Sequence, residues 1–168
     1  MALTMHQCAV RLFLRHLRGL QTCLGKTKAL YQEKKYDEAT LLSYRLFPDM
    51  FDFTRQVRQS TNHARQCTEL LSGVEAPKFD DNEKSLDELI TRVQKTIEYL
   101  NSVKAEQIDG TEDKTVTVKI QNRELTFTGA DLLLKRSLPN FYFHVTTAYD
   151  ILRHNGVEIG KNDFMGAA

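Results

Sequence analysis

A chain of 168 residues is long enough for one domain with a buried core, and 41% hydrophobic with 27% charged residues argues against disorder. A net charge of +1, from 23 basic and 22 acidic side chains, supplies no overall field to draw nucleic acid or an anionic membrane. Arg11, Arg15 and Arg18 interrupt the apolar pattern of the N-terminal stretch as a signal-peptide core would not allow, and no run approaches membrane-spanning length, so a cytoplasmic protein is expected.

In the first segment Met5, Ala9, Leu12, Phe13, Leu17, Leu20, Leu24 and Tyr31 recur at steps of three and four, the spacing of one helical stripe. Arg11, Arg15, Arg18, Lys26 and Lys28 fall mostly between those steps and read as a solvated helix face. Periodicity fades at "QEKKYDEAT". A second helix is expected to start near Pro48, whose fixed φ suits a first turn, with Asp49 complementing the helix dipole. Met50, Thr54, Val57, Thr61, Ala64, Thr68 and Leu71 share its inner face, and the helix stops at Ser72-Gly73. That wheel leaves His63 on the outer side.

Ser85 and Glu88 form an S-x-x-E capping box for a third helix carrying Leu86, Leu89, Ile90, Val93, Ile97, Leu100 and Val103. The acidic run "FDDNEKSLDEL" ahead of it reads as capping and dipole complementarity. The period then changes to two. Val116, Val118 and Ile120, followed by a Gln121-Asn122-Arg123 turn and then Leu125 and Phe127, predict a β-hairpin whose apolar face lies against the helices. Thr128 can cap a last helix running from Ala130 to Asn155-Gly156, with Pro139 kinking or splitting it. Four long amphipathic segments without a βα alternation imply a mainly α fold, an antiparallel four-helix bundle with the hairpin inserted before its last helix.

On the wheel of the last helix His144 faces inward with Leu133, Ser137, Asn140, Phe141, Ala148 and Ile151, and Asn140 lies one turn before it. His16 leans inward on the first helix, and His154 sits near a helix end where it can cap carbonyls. A single helical histidine among apolar residues is more often a hydrogen-bonded core residue than a ligand, and a metal site needs three converging donors. Cys8, Cys23 and Cys67 have neither CxxC spacing nor a nearby His pattern and read as buried free thiols. Phe141, Tyr142, Phe143 and Tyr149 read first as core and interface material.

Three stretches, "MHQCAVRLFLRHLRGL", "LFPDMFDFTRQVRQSTNHA" and "RELTFTGADLLLKRSLPNFYFHVTTAYDILRHNG", resemble the DinB/YfiT-like superfamily of metalloenzyme candidates, and within it a branch known only as a domain of unknown function. The resemblance implies a DinB-like four-helix bundle, often a homodimer. It also implies a divalent metal such as nickel or zinc, held by a His on the second helix and an H-x-x-x-H pair on the last. Some relatives are transferases or isomerases that use low-molecular-weight thiols. Here His144 takes the second place of the pair and Asn140 the first, while Gln56 is the nearest inward polar residue on the second helix. The expectation is a degenerate or altered metal or small-molecule site of His144, Asn140 and Gln56, with His144 its one identifiable metal ligand. A metal-dependent thiol transferase or isomerase and a non-catalytic homodimeric binding or stress-associated protein stand beside it.

Overall fold

A computed structural model describes residues 3–120 and 122–166. The chain is mainly helical, with one small two-stranded antiparallel sheet. After a π-helical turn at Gln7–Arg11, α1 spans Leu12–Lys34. The short α2 covers Glu38–Leu42, α3 covers Phe53–Ser72 and α4 covers Leu86–Ser102. Strands β1 (Thr115–Ile120) and β2 (Arg123–Thr128) form the hairpin. A short α5 (Gly129–Asp131) and a second π turn (Leu132–Ser137) lead into α6, Leu138–His154, and α7 is Lys161–Phe164. Helices α1 and α3 each pack on both α4 and α6, so one apolar core fills the space the four long helices share. Among the described residues, no helix is long and apolar enough to cross a membrane.

Several boundaries differ from the sequence reading, each for a local reason. Helix α3 starts at Phe53 rather than near Pro48, because Asp52 is the cap: its Oδ1 accepts from the Arg55 N–H at 2.8 Å. The faded stretch after α1 contains α2, capped by Asp37. The box at α4 is shifted by one residue. Ser85 Oγ does accept from the Glu88 N–H at 3.2 Å, but the Glu88 carboxylate reaches back to the Lys84 N–H rather than to Ser85. A second carboxylate, Glu38 of α2, takes the Leu86 N–H at 2.9 Å, so α2 caps α4 from 48 residues away. The last helix expected from Ala130 is divided into α5, a π turn and α6, with Pro139 beside the boundary. The widened turn at Leu132–Ser137 lies just ahead of it, and the proline falls in the first turn of α6, where its missing N–H costs least.

The hairpin pairs Val116 with Phe127 and Val118 with Leu125. Val116 and Val118 are buried against the helices as expected, whereas Leu125 stays exposed. Gln121 of the expected turn and the side chain of Ile120 lie outside the described residues. Two contacts seat the hairpin. Lys114 Nζ donates to the Leu70 and Leu71 carbonyls at 2.8 and 2.9 Å, placing a cation on the C-terminal end of α3. Gly129 packs so tightly on the Thr111 carbonyl that a Cβ there would overlap it.

The acidic run before α4 does more than cap. Arg92 of α4 is 2% exposed, which its place in the sequence does not suggest. Its Nε donates to Thr61 Oγ1 (2.7 Å), Nη2 to Asn62 Oδ1 (2.7 Å), and Nη1 to Asp81 (2.6 Å) and Glu83 (2.7 Å). Its guanidinium also lies 4.3 Å from the Phe79 ring centroid. Burial pushes the Glu83 carboxyl up, but the hydrogen bonds and charge of Arg92, joined by Arg58 at 2.6 Å, outweigh it and hold the group below its ordinary range. Arg92 thereby ties the α3–α4 connection to α3. Arg92→Ala, which leaves Glu83 with Arg58 alone, removes the donors to Thr61 and Asn62 and opens a cavity, is expected to lower stability by about 2–5 kcal/mol in urea unfolding followed by far-UV circular dichroism.

Candidate functional site

The site is built from α3, α6 and the loop before α3. His144 is 7% exposed, buried as its wheel position predicts. Its Nδ1 lies 2.7 Å from Gln56 Oε1, a contact across 88 residues of sequence. The Gln56 amide is oriented by its other end, where Nε2 donates to the Phe51 carbonyl at 3.1 Å. A carbonyl can only accept, so Nε2 must face Phe51 and Oε1 must face His144. Oε1 also can only accept, which assigns the imidazole proton to Nδ1 and leaves the lone pair on Nε2.

Among the described residues, the only buried side-chain nitrogen or oxygen both sealed and without a partner is His16 Nδ1. His144 Nε2 bonds to none of them either, and so opens to the cleft that His144 lines. That cleft holds about 240 Å³, bounded by Asp49, Met50, Phe51, Gln56 and Phe143. Phe143 is 56% exposed and meets the His144 ring edge-on at 5.3 Å, while Arg55 lies over the Phe51 ring at 3.6 Å.

His63 corrects the sequence reading. It is half-buried rather than outward, and its ring lies 5.6 Å from that of His144, within 11° of parallel. The sequence held the clue: His63 follows Gln56 by seven residues, two helical turns, so an inward Gln56 implies an inward His63. The stripe Gln56, Ser60 and Cys67 is as buried as Val57, Ala64 and Leu71, which makes the packed arc of α3 wider than one row. Beyond His63 lies a polar pocket of about 260 Å³ that includes Asn62, Arg65, Glu69 and Arg136.

Burial, with the Arg55 guanidinium nearby, pushes the His144 imidazole down from 6.5 to about 4. Burial also pushes His63 down to about 4, assisted by the charges of His144 and Arg136. At neutral pH the site is a pair of uncharged, near-parallel rings.

The other expected members stand apart. Asn140 is one turn before His144, but its Nδ2 donates back along its own helix to the Arg136 carbonyl at 2.7 Å. It makes no hydrogen bond to His144. His16 is buried as expected, packed on Tyr142 (5.0 Å) and Phe164 (5.2 Å) rather than on His144. His154 lies beside Tyr44. Phe141 is core, edge-on to Phe13 at 4.9 Å, while Tyr149 rests on Phe164. Burial raises the Cys67 thiol to about 12 and, with Asp163 nearby, the Cys23 thiol to about 11, so neither is a thiolate near neutrality.

These residues do not fit the divalent metal that the resemblance implies. Among the described residues no group of three His, Cys, Asp or Glu side chains converges. His144 commits Nδ1 to Gln56, and two parallel rings do not aim their lone pairs at one point between them.

The fold and site define a helical protein with a histidine-lined cleft between two of its long helices. Its family is shown by comparison. The family described as "Domain of unknown function (DUF1993)" matches residues 5–165, and the chain belongs to it. The crystal structure of a DinB family member from Shewanella denitrificans is similar, with 36% identity and a TM-score of 0.84 over 97% of this chain and 92% of that one. The chain is thus a DinB-like member of that branch. No match was found among functionally curated proteins.

The paired histidines couple folding to pH. In the folded chain both stay neutral down to about pH 4, whereas unfolded they take up a proton near 6.5. The unfolded state therefore binds more protons between those values. Stability is full above about pH 6.5 and declines as the pH falls toward 4, by up to about 1.4 kcal/mol per pH unit for each histidine. His16, also lowered by burial, acts in the same direction. Thermal unfolding measured across this window is expected to show the decline, and His144→Gln with His63→Gln to flatten most of it.

Proposed function

We propose that this chain is a single, cytoplasmic DinB-like domain, an antiparallel four-helix bundle with its hairpin inserted before the last helix, that binds a small molecule in the His144 cleft without a metal. The observation that carries the reading is the relay from the Phe51 carbonyl through Gln56 to His144 Nδ1, which leaves Nε2 as an unpaired acceptor at the cleft. The ligand is a molecule with one hydrogen-bond donor for Nε2 and an aromatic or aliphatic part for Phe51, Met50 and Phe143. Asn140, already bonded to Arg136, is left out of the site.

Basicity favours binding over thiol chemistry. An imidazole whose conjugate acid titrates at about 4 is poorly matched to a thiol of ordinary pKa about 8.5, so His144 accepts a hydrogen bond better than it removes a proton. The proposal includes a homodimer, for which the exposed Phe47 and Phe143 supply apolar surface. Sedimentation equilibrium is expected to give the dimer mass; a monomer mass at all concentrations removes that part.

Histidine ¹⁵N spectroscopy tests the centre of the proposal. His144 is expected to carry its proton on Nδ1 and to show an unprotonated Nε2 that shifts when phenol or imidazole is added as a probe. His144→Phe should abolish the response, and Gln56→Leu should weaken probe binding by about tenfold through loss of the fixed tautomer. A proton found on Nε2 overturns the assignment. Untagged protein titrated with nickel or zinc is expected to retain less than about a tenth of an equivalent, and near-stoichiometric retention would restore the metal reading.

A further inference from the structure

A groove of about 490 Å³ lies away from the His144 cleft, between the beginning of α1 and the end of α4. Its floor is apolar: Val10, Leu14, Leu100 and Val103, none more than 9% exposed. Its rim carries Arg11, Arg15 and Arg18, three exposed guanidiniums within two turns of one helix. Among the described residues no Asp or Glu lines the groove and none of the three arginines is in an ion pair.

Like charges at spacings of four and three repel along a helix, which makes this row a cost to α1 unless an anion neutralises it. A merely solvated face, the reading the sequence suggests, would not need the middle arginine held. Arg15 is held. Its Nε donates to the Met165 carbonyl at 2.7 Å, and the Gly166 backbone sits so close over the Arg15 carbonyl that a Cβ would overlap it. The strap formed by α7, Met165 and Gly166 thus fixes one guanidinium at the groove, its terminal nitrogens bonded to none of the described residues. The C-terminal end of α4 brings about half a negative charge to the same place, which three whole positive charges outweigh.

We infer that this groove binds a small amphipathic anion, a phosphate or carboxylate on a short aliphatic chain, with Arg11, Arg15 and Arg18 on the head and Val10, Leu14, Leu100 and Val103 on the tail. Planar guanidiniums match the oxygen pairs of such a head, and the volume suits a ligand of modest size.

Isothermal titration with hexyl phosphate, inorganic phosphate and hexanol tests it. Hexyl phosphate is expected to bind saturably and more tightly than either fragment. The doubly substituted Arg11→Gln/Arg18→Gln chain should bind it roughly tenfold or more weakly, with the salt dependence reduced. Both positions are exposed and in no ion pair among the described residues, so this variant should fold, with a thermal midpoint no lower than the parent's. His144→Phe should leave hexyl phosphate binding unchanged, which separates the groove from the histidine cleft. Equal binding by the arginine variant, inorganic phosphate binding as tightly as hexyl phosphate, or capture by anionic-lipid vesicles without hexyl phosphate binding would each overturn the inference.

Discussion

The Gln56 side chain joins α3 and the loop just before it to α6, 88 residues away in sequence. Its amide nitrogen holds the loop before α3 through the Phe51 carbonyl, its own backbone belongs to α3, and its oxygen accepts the hydrogen bond that His144 Nδ1 donates from α6. A buried amide can satisfy both ends only if both partners are present, and here each partner dictates the orientation of the next. The imidazole therefore has one tautomer, the loop that walls the cleft has one position, and the face of α3 that meets α6 has one register. A cleft whose polar atom is fixed before any ligand arrives gives up less entropy on binding.

Around that relay the helices pack through polar side chains that have already satisfied themselves. Ser60 and Thr68 of α3 return their hydroxyls to carbonyls four residues back at 2.9 Å each, as does Thr96 of α4, also at 2.9 Å. Their outer surfaces then behave as small apolar groups. Among the buried residues bonded to partners on other elements are Gln56, His144 and Arg92. They lie on the helices around α3 and fix its orientation, Gln56 and His144 toward α6 and Arg92 toward α4.

The same geometry explains why family resemblance and site chemistry part company. A metal centre needs charged or lone-pair donors aimed at a common point, whereas this one holds two neutral rings side by side with one nitrogen spent on an amide. Parallel imidazoles with conjugate acids near 4 suit a partly apolar cleft, on whose wall Asp49 is the charged residue. The excess positive charge sits elsewhere, on the rim of the α1–α4 groove, where the polar and apolar demands of a ligand are met by different residues.

Local order was legible in the sequence. The apolar steps of α1 and α4, the Ser85 and Thr128 caps, the alternation of Val116 and Val118, and the inward face of His144 follow from periodicity and from groups a few residues apart. A period of about 3.6 residues per turn sets which side of a helix is apolar, whatever that side later meets. Tertiary structure alone decided which polar residues the packed arc would admit. Arg92 is buried because Thr61, Asn62, Asp81 and Glu83 converge on it, and Glu38 caps a helix 48 residues away. The burial of a polar group depends on partners supplied by other elements, and no pattern within its own segment encodes them.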